Sequence, residues 1–224
     1  MSVVVVYVHG LWMPGAEGLL LRRRLGTRLG AETRAFTYRS VNTSVTDNAV
    51  GLSRYLNSIP ADTLHLVGHS LGGLVILRMF EPGGEPQGRS SRDTGLPPGR
   101  IVLLGSPVNG SVSAERFARW PLGGSLIGAG AGEALLARRA RHWAGGRDLG
   151  VIAGDMPLGM GRLLGRMEGP NDGTVLVSET VLAGAAAQLR LRVSHMGLPY
   201  SRRVADETAT FLRDGRFGMG ASRG

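Results

Sequence analysis

Residues Thr63 to Phe80 constrain the fold more than any other stretch, because an apolar strand, a glycine-flanked serine and an apolar helix follow one another without a gap. Leu64 to Val67 is short and apolar, with Pro60 upstream and Gly68 downstream, which is the pattern of a strand buried in a parallel sheet. From Leu71 onward the apolar residues fit a buried helix. A sharp turn between the two lifts the Ser70 hydroxyl out at the carboxyl edge of the sheet, and Gly68 and Gly72 leave room for the strained backbone. Ser70 is therefore a candidate nucleophile. The G-x-S-x-G pattern alone carries little weight in a chain with 36 glycines. It occurs again at Gly220-Ala221-Ser222-Arg223-Gly224, where no strand precedes it and no helix follows, so this copy reads as a frayed tail.

The rest of the chain supplies a matching rhythm. Val3 to Val8 is a β-branched run ending in His9-Gly10-Leu11-Trp12, the pattern of a central strand feeding a loop at the same edge. Leucines 21, 25 and 29 with Gly30 behind them predict a helix over 16–29, Thr33 to Tyr38 predicts a strand, and Thr46 or Asp47 is placed to cap the next helix. Strand, helix, strand, helix, strand is the signature of a parallel sheet covered by helices. Further strands are expected at Ile101–Leu104, Leu149–Ala153 and Gln188–Val193, and a closing helix at about 200–213. The Gly- and Pro-rich segment from Glu81 to Gly99 reads as a surface loop. Residues 112–147 are helical in patches, either as a cap or pocket wall or as plain crossover helices. The expected organisation is one α/β domain over 1–214, with 108–148 as an insertion beside the pocket and 215–224 as a flexible tail.

Composition narrows the function classes. The chain has 224 residues, 42% of them hydrophobic, which is enough for one sizeable core. It has no cysteine, so disulfides and thiolate metal sites are excluded. The formal charge is +9, and all 26 basic residues are arginine, which fits a chain-wide bias better than a phosphate-binding face. Clusters such as Arg22-Arg23-Arg24 and Arg202-Arg203 fall on helical stretches and read as solvated faces, so nucleic acid is not an expected partner. No apolar run approaches the ~20 residues of a membrane helix, and the first residues lack the pattern of a secretory signal. The expected protein is a cytoplasmic monomer.

A serine hydroxyl is a weak nucleophile, so it needs an imidazole to take its proton and a carboxylate to orient that imidazole. Of the five histidines, His9 belongs to the loop after the first strand, His65 lies in a strand, His69 adjoins the serine, and His142 falls in an arginine-rich helical stretch. His195 follows the last strand, where a loop can carry it over Ser70. Asp148, Asp155 and Asp172 lie between serine and histidine in chain order. Asp155 directly follows a strand, whereas Asp172 sits in an Asp-Gly-Thr turn one strand before His195 and is the favoured acid. The amides of Leu11 and Leu71 are the expected donors to a tetrahedral oxyanion. Trp12, Val108, Met196 and Leu198 are expected around the substrate.

These residues resemble the α/β-hydrolase family, and within it the small bacterial lipases and esterases. The resemblance rests on His9-Gly10-Leu11, Gly68-His69-Ser70-Leu71-Gly72-Gly73, Gly105-Ser106-Pro107 with Gly110-Ser111, Asn171-Asp172-Gly173 and His195-Met196-Gly197-Leu198. Where many lipases have Gly-Thr-Pro-His, this chain has Gly105-Ser106-Pro107-Val108. The resemblance implies a three-layer fold of about six mostly parallel strands, without the two leading strands of larger members. It also implies hydrolysis of a small-molecule ester or lipid through an acyl-enzyme on Ser70, with no cofactor or metal and at most transient contact with a lipid surface. An acyltransferase or thioesterase could use the same three residues, and a non-catalytic binding protein could keep the same fold.

Overall fold

The computed structural model describes residues 1–81, 95–121, 123–136, 140–159 and 167–218. Six parallel strands form one sheet in the order β2-β1-β3-β4-β5-β6. They are β1 (Val3–Val8), β2 (Glu32–Phe36), β3 (Thr63–His69), β4 (Ile101–Leu104), β5 (Leu149–Gly154) and β6 (Ala187–Leu191). The chain runs outward from β1 to β2, returns past β1 to β3, and then continues in one direction to β6. Neighbouring loops diverge at the carboxyl ends of β1 and β3, and that divergence opens a crevice of the kind in which ligands bind in parallel sheets.

Alternation along β1 shows how the two faces are filled. Val4, Val6 and Val8 enter one apolar cluster, together with Leu52 and Leu56 of α2 (Val45–Asn57) and Leu74 and Met79 of α3 (Leu71–Phe80). Val5 and Tyr7 enter the other, with Leu21 and Leu25 of α1 (Leu19–Leu29) and Phe211 of α7 (Arg202–Asp214). The sheet therefore lies between two helical layers, as the period of two in a strand requires when both faces are buried. Between β4 and β5 come three short helices, α4 (Val112–Ala118), α5 (Gly123–Ile127) and α6 (Ala129–Leu136). Among the described residues, no helix is long and apolar enough to cross a membrane.

Several boundaries differ from the sequence reading. The cap of α2 is Ser44, ahead of Thr46 and Asp47: its extended backbone lets the hydroxyl accept the Asp47 amide at 3.0 Å. The second strand ends at Phe36, freeing Tyr38 for contacts at the site. The last strand ends at Leu191. His142 is not helical but pairs with Ala183 in an isolated parallel bridge. Phe217, inside the expected tail, is buried against Phe211. The second serine motif at 220–224 and most of the loop after Glu81 lie outside the described residues.

Candidate active site

Ser70 links β3 to α3 with φ 52° and ψ −121°, a conformation that disfavours any side chain. The surrounding packing holds it there. Its amide donates to the Leu104 carbonyl at 2.9 Å, and its carbonyl accepts the Gly73 amide at 3.1 Å. A Cβ on Gly68 would lie 2.7 Å from the Gly73 Cα, and one on Gly72 would lie 2.2 Å from the Val8 carbonyl oxygen. These two glycines allow the helix to start against the strand ends.

The loop after β6 brings His195 over the serine. Its Nε2 is 3.0 Å from Ser70 Oγ and its Nδ1 is 2.7 Å from Asp172 Oδ2. An ionised Asp172 requires the proton on Nδ1, which leaves the Nε2 lone pair to accept the Ser70 hydroxyl. Asp172 is fixed in turn: its other oxygen accepts the amides of Thr174 at 2.9 Å and Val175 at 2.7 Å. The His195 amide donates to the Asp172 carbonyl at 2.8 Å, so acid and base are coupled through the backbone as well. Asp172 is 1% exposed and His195 5%. Asp155 points elsewhere and pairs with Arg190 at 2.6 Å, while Asp148 pairs with Arg100.

The other histidines near the strand ends are held neutral. His69 is fully buried beside Ser70, and burial is the main cause that lowers its pKa to about 3. One of its ring nitrogens, Nε2, is 3.2 Å from the His195 carbonyl oxygen and donates to it. His9 is lowered for the same reason. Its Nδ1–H donates to the Gly10 carbonyl at 2.8 Å, and its Nε2 accepts the Tyr38 amide at 3.2 Å. Tyr38 also stacks on the His9 ring and donates its hydroxyl to the His9 carbonyl at 2.8 Å. His65 is lowered to about 4, chiefly by burial, and its Nδ1 accepts the Arg100 amide.

A model of the alpha/beta hydrolase family matches residues 5–216. The chain belongs to the alpha/beta hydrolase family. No curated protein matches its sequence. Among solved structures, the hydrolase is similar in fold to the Bacillus licheniformis lipase BlEst2 in its mature form, at 17% identity and a TM-score of 0.68, covering 95% of this chain and 91% of that one. It is also similar to the metagenomic carboxyl esterase MGS0156, at 19% identity and a TM-score of 0.62, covering 88% of this chain and 65% of that one. The ydeN gene product of B. subtilis shares the fold at 16% identity and a TM-score of 0.51, covering 87% and 88%.

Beside Ser70 the hydrolase has an apolar cavity of about 400 Å³. Leu11, Trp12 and Met196 line one side of it, and Phe117, Ile127 and Leu135 from α4, α5 and α6 line the other. Trp12 and Met196, expected around the substrate, both line this cavity. Val108 and Leu198 are not among the lining residues. Val108 turns inward into the α2/α3 core, and Leu198 packs against Gly105 and the α1/α7 core, so both are fully buried away from the cavity. Ile127 and Leu135 belong to the patchy apolar stretch 112–147 that was expected as a cap, a pocket wall or plain crossover helices, whereas Phe117 was not singled out in the sequence. Glu179, also buried, joins this wall to the acid loop: one carboxylate oxygen accepts the Val112 amide at the start of α4 at 2.6 Å, and the other accepts the Leu176 amide at 2.8 Å.

Proposed function

We propose that the protein hydrolyses carboxylic esters through an acyl-enzyme on Ser70. The observation that carries this reading is the continuous relay from Ser70 Oγ through His195 to Asp172, at 3.0 and 2.7 Å, opening on an apolar cavity. In this reading Oγ attacks the ester carbonyl as its proton passes to His195 Nε2. Asp172 stabilises the imidazolium and keeps the proton on Nδ1. The amides of Leu11 and Leu71, which flank Ser70 on the cavity wall and donate to no described group, hold the negative oxygen. His195 then protonates the leaving alkoxide, and a water activated by the same nitrogen releases the acid.

The lining supports a neutral, apolar acyl group. Among the described residues around the cavity, His195 is the only titratable one. The cavity is at the small end of ligand sites, which favours short and medium acyl chains. The test is turnover of a p-nitrophenyl ester series from acetate to palmitate, with fluorophosphonate labelling of Ser70 read by mass spectrometry. Labelling with highest kcat/KM at short to medium chains is expected. Absence of both turnover and labelling would overturn the proposal, and preferential transfer to an added alcohol would redirect it to an acyltransferase.

A further inference from the structure

Among the described residues, two non-glycine residues have a left-handed backbone: Ser70, and Trp12 at φ 59°. Such a conformation is disfavoured for a bulky side chain and persists only where surrounding contacts impose it. For Ser70 those contacts come from the elbow. For Trp12 they come from the loop after β2. The Trp12 amide donates to Ser40 Oγ at 3.1 Å, and Ser40 is buried although it lies in a loop. Two residues earlier in that loop, Tyr38 grips the carbonyl and the ring of His9. The loop after β2 therefore holds the loop after β1 on both sides of Leu11.

Consider what this grip fixes. Leu11 lies between the two anchored points, and its amide donates to no described group. Its direction is set by the peptide planes on either side. The Leu11 N–H lies in the Gly10–Leu11 peptide plane, whose carbonyl accepts the His9 Nδ1–H at 2.8 Å, and the Ser40 hydrogen bond on the next amide, at a residue turned into the left-handed region, limits rotation of the Leu11–Trp12 peptide, so the planes on both sides of Leu11 are held. The Trp12 side chain is half exposed beside the cavity and meets the Phe117 ring edge-on at 5.6 Å.

We propose that Ser40 is a positioning residue for the oxyanion site: by holding the Trp12 amide it keeps the Leu11 N–H aimed at the developing negative oxygen. This rests on the ester hydrolysis proposed above. It acts through Leu11 and touches no reacting atom, so its removal affects the charged tetrahedral state more than the bound ester.

The test compares Ser40→Ala and Ser40→Thr with the wild type, using p-nitrophenyl butyrate and butylboronic acid. The boron adds reversibly to Ser70 Oγ and presents a tetrahedral, negatively charged group at the oxyanion site. Ser40→Ala is expected to lower kcat about tenfold, less than the 10²–10³ lost when a donor is removed outright. KM should stay within about twofold, and boronate affinity should fall by the same factor as kcat. Ser40→Thr, which keeps the hydroxyl, should restore most of both. Unchanged kcat in Ser40→Ala, or a loss of kcat without loss of boronate affinity, would overturn the proposal. If Ser40→Ala does not fold, Tyr38→Phe removes the hydroxyl bond to His9 on the other side of Leu11 and should show the same paired loss; intact kcat there would overturn the proposal. Failure of the wild type to turn over ester or label at Ser70 would overturn the hydrolase reading and this one together, whereas an active wild type with an indifferent Ser40→Ala overturns this one alone.

Discussion

The floor of the site and its wall are built on different principles. The floor lies at the carboxyl edge of the sheet, where Ser70, Asp172 and His195 follow strands or are bonded to residues that do, and each is placed by a specific hydrogen bond. The wall consists of three short helices, and Phe117, Ile127 and Leu135 contribute shape alone. In the proposed reaction a single atom on the floor decides the chemistry, and volume at the wall decides which substrate fits. Changes to the floor should therefore reduce rate across all esters, and changes to the wall should reorder substrates.

The largest test of that contrast is Ser70→Ala, which should reduce kcat/KM about 10⁴-fold or more for every ester, with His195→Ala close behind. Asp172→Asn should cost on the order of 10³–10⁴ in kcat, because it removes the acceptor that holds the proton on His195 Nδ1. Asp155→Asn should leave kcat within about threefold, since its partner is Arg190 and not the imidazole. The reverse outcome for the two aspartates would break the assignment of the floor. Phe117→Ala enlarges the wall side and should lower KM for long-chain esters relative to butyrate by a few-fold, read from the same p-nitrophenyl series. A uniform loss across chain lengths would place Phe117 with the floor.

The smallest effect concerns stability. His65 and His69 have pKa values lowered to about 4 and about 3 by burial, so between about pH 6.5 and 5 they stay neutral in the fold but take up protons when it unfolds. The unfolded state then binds more protons, and stability falls as pH falls, approaching about 1.4 kcal/mol per pH unit for each histidine. Urea unfolding at pH 7, 6 and 5 should show this slope, and His65→Gln should remove about half of it. A flat profile above pH 5 would argue that one or both rings are hydrated in the fold.

The same contrast explains what could be read from the sequence. Floor residues are marked by backbone demands: glycines at 68 and 72 where any Cβ would collide, and an Asp-Gly-Thr turn whose amides face Asp172. Such demands constrain residue type at fixed offsets, so Ser70, Asp172 and His195 stood out, as did the alternation of strands and helices that makes a parallel sheet, though not the order of its strands. The wall leaves no such mark. An apolar residue in a short helix has the same periodicity whether it faces a packed core or an open cavity, which is why Val108 and Leu198 were expected at the pocket but are buried in the core, why 112–147 was legible only as wall or crossover, and why Phe117 was not singled out. Ser44 took the α2 cap from its neighbours because the backbone angles at a helix start, which composition does not encode, select the capping hydroxyl.

Glu179 qualifies the separation of floor from wall. Its two carboxylate oxygens hold the first turn of α4 and the loop that carries Asp172, so the two parts share one fastening. An acyl group large enough to push α4 outward would pull on the segment that orients the imidazole, and an oversized ester would then bind and turn over slowly. Under the ester hydrolysis proposed above, selection among substrates would then be exercised during the chemical step, through the strain that an oversized chain transmits to Asp172.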